Sequence, residues 1–202
     1  MKVGIEFVEK VLGTASADAK LHHDHVAGKS ADAEKIEQEM AALPVEELFE
    51  KAVTVFPRGE DGEAILYDYQ VKGFFKEAIG VLLEFVEPDG KIGKAKLSKW
   101  TVKRIVDNCL QVYPRQIPLV LPAGGEIELC TRPLRAQTMQ GERVALATSE
   151  TVPAGTRIEI EVEVLNDQLM PYVVKALDYG HRKGIGQWRN AGHGRFVWEE
   201  RA

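Results

Sequence analysis

One segment of the sequence alternates apolar and charged residues with a period of two. Residues 156–165 read T-R-I-E-I-E-V-E-V-L. Because a β-strand points successive side chains to opposite faces, this segment predicts a strand with one apolar face and one face of glutamates. Such alternation indicates an antiparallel sheet that is packed on one face and in water on the other. The fold must therefore cover one face of a sheet and leave the other exposed.

Two segments have the apolar spacing of amphipathic helices. The first covers residues 68 or 69 to 85, and it leaves Lys72 and Lys76 on an exposed side, one turn apart. The second covers residues 169–179, with Gly180 as its predicted C-cap. An exposed helix is also predicted at 31–42, and further strands at 2–8, 54–56, 112–121 and 195–199. The predicted core includes Phe74, Phe75, Phe85, Phe196 and Trp198.

The order of these elements is strand, helix, strand, helix, strands, helix and strand. It predicts an α+β fold in which a ferredoxin-like (RRM-like) antiparallel sheet has helices packed on one face. The 202 residues fit a single domain, residues 1–202, with room for an inserted subdomain or flap at about 88–130.

The composition restricts the class of protein. No apolar run approaches the roughly 20 residues that span a bilayer, and Glu6 and Glu9 interrupt the N-terminal apolar stretch, so neither a membrane segment nor a signal peptide is expected. The two cysteines, Cys109 and Cys130, have no metal-binding spacing. We therefore expect a cytoplasmic protein that binds no metal, no cofactor and no membrane.

The charges are unevenly distributed along the chain. The net charge of −5 argues against histone-like binding of nucleic acid through bulk charge alone. Residues 1–64 nevertheless contain 14 acidic and 7 basic residues, whereas residues 91–104 and 179–198 contain basic residues and no acidic ones. This pattern predicts an acidic face and a basic face.

The C-terminal basic segment is also rich in glycine. Residues 180–196 read G-H-R-K-G-I-G-Q-W-R-N-A-G-H-G-R-F. Glycines let backbone amides approach phosphate oxygens, nearby arginines and lysines neutralise their charge, and Trp188 offers a ring for base stacking. A tight structural loop with Trp188 in the core remains an alternative. The segment is neither a dinucleotide fingerprint, which follows a strand and opens a helix, nor a Walker loop, since GK[ST] is missing.

Four collinear segments resemble the RAMP superfamily, the ferredoxin-like RNA-binding subunits of CRISPR effector complexes. The pattern G-x-G-x-x-R-x-x-G-x-G-R-F at 184–196 resembles the family's glycine-rich loop. Residues 1–13 are similar to its first strand, D-Y-Q-V-K-G-F-F-K-E-A at 68–78 to its first helix, and 143–165 to its strand–turn–strand. The turn D-Y-Q and the short chain depart from the family pattern, which favours a stand-alone or prophage-encoded relative of the backbone subunit, with RAMP-type insertions.

The resemblance implies a non-catalytic protein that binds single-stranded nucleic acid, RNA or DNA with RNA favoured, in a groove between the first helix and the glycine-rich loop. It also implies self-association along the strand or assembly with CRISPR-type subunits. It implies that six basic side chains contact phosphates: Lys72, Lys76, Arg182, Lys183, Arg189 and Arg195. It implies that Gln187, Trp188 and Asn190 contact sugars or bases and that Arg132 and Arg135 extend the groove. The remaining expected contacts lie along the loop, at Gly184, Gly186, Gly192, His193 and Gly194.

Two other functions remain open. In a metal-independent endoribonuclease of the same superfamily, a histidine of the cluster His22, His23 and His25 would act as general base on a ribose 2′-hydroxyl. In a decoy or inhibitor of a CRISPR complex, the acidic N-terminal region would contact another protein instead of nucleic acid.

Overall fold

The computed structural model describes residues 1–16, 53–86, 91–92, 95–96, 99–138 and 141–202. The predicted helix at 31–42 and the histidines His22, His23 and His25 lie outside these ranges. The strands are β1 (Lys2–Phe7), β2 (Val11–Leu12), β3 (Ala15–Ser16), β4 (Val53–Val55), β5 (Ile65–Tyr67), β6 (Lys91–Ile92), β7 (Ala95–Lys96), β8 (Leu110–Tyr113), β9 (Gln116–Pro118), β10 (Glu128–Thr138), β11 (Gly141–Val152), β12 (Arg157–Val164) and β13 (Phe196–Arg201). The helices are α1 (Asp68–Phe85), α2 (Lys99–Cys109), α3 (Met170–Asp178) and α4 (Gly180–Lys183), with 3₁₀ turns at Asp167–Leu169 and Arg189–Ala191.

A four-stranded antiparallel sheet organises the molecule, with the strand order β13-β1-β12-β8. Helix α1 lies in the connection between β1 and β8, and α3 lies in the connection between β12 and β13. Strand β12 alternates buried and exposed residues as its sequence predicts, with Ile158, Ile160 and Val162 buried. The predicted α+β class is therefore confirmed.

The helices cover one face of this sheet. Val3, Ile5 and Phe7 of β1 belong to the same buried cluster as Phe75 of α1 and Val173 of α3. The cluster excludes water from the apolar side of each strand, and this burial supplies most of the free energy that holds the layers together. The opposite face of the sheet is open.

A second sheet is built on a long hairpin. Strands β10 and β11 pair antiparallel from Glu128↔Thr151 to Thr138↔Gly141, and the sheet continues in the order β10-β11-β4-β3. Strand β2 also pairs with β11, which connects this sheet to the chain just after β1.

Helix α1 matches its predicted bounds, but two local predictions were wrong. Phe85, predicted to be core, is 74% exposed because it lies at the last residue of α1, beyond the sheet-facing stripe. Gly180 opens α4 instead of capping α3, and a Cβ at this position would lie 2.3 Å from the Phe196 ring. The glycine is thus needed for close packing against β13.

None of the helices in the described ranges combines the length and the apolar character that crossing a membrane requires.

Candidate nucleic-acid interface

The glycine-rich segment forms a loop that is closed at its base. The Ile185 N–H donates to the Gly194 carbonyl at 2.9 Å, and the Gly194 N–H donates to the Lys10 carbonyl at 2.9 Å. The Val8 N–H donates to the Arg195 carbonyl at the same distance. We call these three bonds the neck; they fasten the loop to the end of β1, so the loop's position follows from that of the sheet.

Glycine is required at the neck. Gly184 and Gly194 both have φ of +72°, a left-handed conformation that side chains disfavour. A Cβ on Gly194 would also lie 1.8 Å from the Ile185 carbonyl oxygen, and one on Gly184 would lie 2.6 Å from the His193 carbonyl oxygen. The two glycines therefore let two backbone segments approach closely enough to form the neck.

Trp188, at the tip of the loop, is held in a strained backbone conformation. Its φ of 53° makes it the single non-glycine residue with positive φ in the described ranges. Such a conformation costs about 1–2 kcal/mol in a bulky residue and persists where surrounding contacts impose it. The His193 ring stacks on the indole, with ring centroids 4.9 Å apart and an interplanar angle of 23°. Trp188 remains 41% exposed, so it belongs neither to the core nor to a freely projecting platform.

Arg132 joins the hairpin to the loop. Its side chain is 7% exposed, and its guanidinium carbon lies 5.0 Å from the Trp188 ring centroid. Its Nη2 donates to the Gln187 Oε1 at 3.0 Å, and its Nη1 donates to the Ser149 hydroxyl at 3.2 Å. A buried cation shared among these groups positions the loop tip against β10 and β11.

Three buried polar atoms in this cluster have no hydrogen-bond partner among the described residues. They are the Nε atoms of Arg132 and Arg195 and the Nδ1 of His193. The Arg195 guanidinium packs over Gly192, where a Cβ would come within 3.0 Å of Nη2. Each arginine Nε carries an N–H donor, so two donors beside the loop are not used by the described residues.

Helix α1 presents a carboxylate to the loop. Glu77 Oε1 pairs with Lys183 Nζ at 2.7 Å, and Glu77 Oε2 accepts from Arg189 Nη1 at 2.5 Å. Burial opposes ionisation of this side chain, but the hydrogen bonds from Lys183 and Arg189 outweigh it and hold the pKa of Glu77 below its usual value. We call these three residues the Glu77 triad. Two of the predicted phosphate ligands are therefore already engaged with a carboxylate.

Lys72 and Lys76 face α2 and not the loop. Lys76 forms an ion pair with the Asp107 carboxylate, and Lys72 Nζ donates to the Asp107 carbonyl at 3.0 Å. Burial lowers the pKa of Lys72, and Asp107 opposes this effect. These lysines and the Glu77 triad lie on two different sides of α1, so the structure does not bring all the predicted cations together.

A cavity of about 390 Å³ lies between α1 and the glycine-rich loop. Gly73 and Glu77 of α1 line it on one side and Gly186 and Arg189 on the other, with Phe74 among its apolar residues. The groove predicted between the first helix and the loop is thus present, although Glu77 borders it.

The open face of the four-stranded sheet is acidic. Glu159, Glu161 and Glu163 of β12 are exposed there, in the alternation that the sequence predicts. Arg157 on the same face pairs with Glu6 at 2.7 Å. Carboxylates in a row repel a polyanion, so this face is unsuited to nucleic acid.

The other predicted contacts are dispersed. Arg182 is exposed in α4, before the loop, and Asn190 is exposed in the 3₁₀ turn next to Trp188. Arg135 lies in β10, three residues beyond Arg132 along the hairpin. Sequence reasoning missed Glu77 and Ser149 as partners of the predicted cations. Glu77 follows directly after Lys76 in the helix pattern, but its pairing with Arg189 joins residues 112 positions apart, which no local pattern shows.

No group of three or more histidines, cysteines, aspartates or glutamates is arranged to hold a metal ion within the ranges that the structure describes.

Neither a family model nor a curated protein sequence matches the chain. Solved structures do match it. A chain of Type III-B Cmr-beta, determined by cryo-EM bound to cognate target RNA, has a TM-score of 0.53 at 9% identity. The match covers 98% of this chain and 58% of that one, so this chain spans less than two thirds of its length. Cmr6 from Pyrococcus furiosus has a TM-score of 0.50 at 11% identity over 98% of this chain and 97% of that chain. At these identities the likeness concerns the fold.

Proposed function

We propose that this chain is a non-catalytic, RAMP-type protein that binds single-stranded nucleic acid, with RNA as the expected ligand. The nucleic-acid strand passes between α1 and the glycine-rich loop. The observation that carries this proposal is the loop itself, which is fastened to the end of β1 and places Arg189 on the cavity, beside Trp188 and with Lys183 on the same carboxylate. Proteins that bind single-stranded nucleic acid use cationic side chains for the phosphates and aromatic rings for the bases.

The strand order supports a ferredoxin-like arrangement. In chain order the sheet strands are β1, β8, β12 and β13, and the sheet order β13-β1-β12-β8 places them as fourth, first, third and second. A helix lies between the first and second strands and between the third and fourth. This β-α-β-β-α-β connectivity is that of the ferredoxin-like motif.

The negative charge on the open face of the sheet directs the nucleic-acid strand to the loop side. Many RRM-type domains bind RNA on the open sheet face, through aromatic side chains. Here that face carries Glu159, Glu161 and Glu163. Phosphates are repelled from it, which leaves the cationic loop and α1 as the favourable path.

The Glu77 triad is compatible with phosphate binding. The carboxylate of Glu77 occupies the donors of Lys183 and Arg189 in the manner of a phosphate oxygen pair. All three side chains keep some exposure, so an incoming phosphate can share the donors of Lys183 and Arg189 with that carboxylate. We therefore expect moderate affinity with a strong dependence on salt.

The decisive experiment compares two charge-matched variants in single-stranded RNA binding, by fluorescence anisotropy at several salt concentrations. Arg182→Ala with Arg189→Ala removes two arginines from the loop region. Arg157→Ala with Arg201→Ala removes two from the sheet, including partners of Glu6 and Glu199. The loop variant should lose about tenfold or more in affinity and show a shallower salt slope, because each lost phosphate contact reduces that slope by about 0.7.

The sheet variant has the same net charge and should bind RNA with nearly unchanged affinity and slope. Equal losses in the two variants would show that net charge alone determines binding and would overturn the proposed groove. Wild-type protein that binds neither RNA nor DNA at low salt would overturn the proposed function itself.

The proposal includes assembly along the strand or with CRISPR-type subunits, in a cytoplasmic setting. The likeness in fold to Cmr6 and to a chain of Type III-B Cmr-beta supports this part. Sizing of the protein with and without a long single-stranded RNA, together with the 260/280 nm absorbance ratio after low-salt purification, tests it. A stoichiometry that stays at one copy per RNA as the RNA is lengthened would exclude assembly along the strand.

A further inference from the structure

The cavity between α1 and the glycine-rich loop has an apolar interior and a polar rim. Leu66, Phe74 and Ile185 contribute apolar surface, and Gln70, Glu77 and Arg189 contribute polar groups. Its volume of about 390 Å³ lies at the lower end of the range for small-molecule sites. A compartment of this kind suits one flat, partly polar group.

The polar groups on its rim are held in fixed orientations. The Gln70 Oε1 accepts from the Tyr67 N–H at 2.7 Å, and the Gln70 Nε2 donates to the Thr14 hydroxyl. The Glu77 carboxylate is oriented by Lys183 and Arg189, one on each oxygen. A carboxylate offers about four acceptor positions, so each oxygen keeps capacity for a further donor.

An aromatic wall completes the cavity. Tyr69 lines it and stacks on the buried Tyr67 ring, with centroids 5.3 Å apart and an interplanar angle of 11°. Access is unobstructed at Gly73, where a Cβ would meet nothing within 4 Å. A planar ring can therefore enter beside α1 and contact an aromatic surface that is already ordered.

We infer that this cavity receives a single unstacked nucleobase of the bound strand, and that it selects bases with an exocyclic amino group. The inference rests on the proposed single-strand binding and assigns a base-selecting role to the same groove. The amino groups of adenine, cytosine and guanine donate hydrogen bonds, and the free acceptor positions of Glu77 can take them. Uracil has no exocyclic amino group, and its one ring donor on that edge, N3–H, lies between two carbonyl oxygens, which the carboxylate repels. Glu77 therefore discriminates between bases while Lys183 and Arg189 hold it in place.

The test measures binding of four single-stranded oligomers of equal length: oligo(A), oligo(C), oligo(U) and an abasic sugar–phosphate chain. Wild-type protein should bind oligo(A) and oligo(C) about fivefold or more tightly than oligo(U), and the abasic chain most weakly, since one good hydrogen-bonded base contact is worth about that ratio or more. The variant Gly73→Leu places a side chain in the cavity without changing any charge. It should abolish the preference and retain the salt-dependent binding that phosphates supply.

The matched control is Gly73→Ala, which adds the same Cβ, improves helix propensity and leaves most of the cavity empty. It should keep the base preference. If Gly73→Leu does not fold, as monitored by thermal unfolding, Tyr69→Ala replaces it, because it removes the aromatic wall and leaves the partners of Glu77 unchanged; it should also lose the preference.

Three results would overturn the inference. If wild-type protein binds all four oligomers equally and with strong salt dependence, the base pocket is wrong and the proposed function stands. If Gly73→Leu keeps the preference of Gly73→Ala, the selected base binds elsewhere. A protein that binds none of the oligomers overturns both the base pocket and the single-strand binding on which it rests.

Discussion

Arg132 and Trp188 form a cation–π pair between the long hairpin and the tip of the glycine-rich loop, with 5.0 Å from the guanidinium carbon to the ring centroid. The cation is almost fully buried, whereas the indole remains partly exposed. The arginine that the sequence suggested as a groove extension is thus a support of the loop. This contact and the stacked His193 ring together hold Trp188 in a fixed orientation.

Substitution of Arg132 should destabilise the protein. Arg132→Ala removes the hydrogen bonds to Ser149 and Gln187 and the cation–π contact, so we expect a loss of about 2–4 kcal/mol in the free energy of unfolding. Urea denaturation measures this loss. Arg182→Ala, at an exposed arginine, serves as the control and should change stability by about 0.5 kcal/mol or less. Equal stability of both variants would show that Arg132 does not support the loop.

Removal of the Glu77 charge should strengthen binding of nucleic acid in general. Glu77→Gln frees Lys183 and Arg189 from their carboxylate, so affinity for an abasic or mixed-sequence strand should rise by about three- to tenfold at low salt. The preference for amino-bearing bases should fall in the same variant. Anisotropy titrations measure both effects. Glu84→Gln, about two turns further along α1, removes the same charge away from the loop and should change affinity by less than about twofold.

The stability contributed by the Glu77 triad should depend on pH. The native pKa of Glu77 lies below its unfolded value, so its contribution is complete above the ordinary glutamate pKa of about 4.3 and is lost as the pH falls through the lower native pKa. The difference in unfolding free energy between wild type and Glu77→Gln should therefore be constant above about pH 5 and shrink as the pH is lowered further. Urea denaturation at a series of pH values measures it, and a difference independent of pH would contradict the ion pairing.

Substitution of Gly194 at the neck should destabilise the protein by more than its backbone conformation alone explains. A Cβ there would lie 1.8 Å from the Ile185 carbonyl oxygen, and the backbone has φ of +72°. Gly124 has nearly the same φ, +73°, and open space around the Cβ position, so it isolates the backbone effect. Gly124→Ala should cost about 1–2 kcal/mol, and Gly194→Ala should cost about 1–3 kcal/mol more because of the overlap. Equal losses in thermal or urea unfolding would show that the neck can yield to a side chain.

The sequence predicts well those elements whose pattern is local. The bounds of α1 follow from apolar residues three and four apart, and the faces of β12 follow from strict alternation. The bounds of α1 and the faces of β12 both depend on which residues of a single element are buried, so the residues of that element are sufficient to predict them.

The arrangement of the candidate site depends on distant pairs and could not be predicted in the same way. Arg132 meets Gln187 across 55 positions and Arg189 meets Glu77 across 112. Gly180 looks like a helix cap in sequence, yet packing against the Phe196 ring is what excludes a side chain there. Lys72 and Lys76 were expected to face the loop, but the predicted helix face did not reveal that α2 would supply Asp107 as their partner.

The neck has a consequence for how this protein can be altered. Its three bonds join main-chain atoms, so they make no demand on the identity of the side chains at residues 187–191. Within that stretch, Gln187 and Trp188 hold Arg132 and Arg189 holds Glu77, whereas Asn190 and Ala191 are exposed. Substitutions at residues 190–191 should therefore change the surface that the loop presents while the sheet and its helices fold as before.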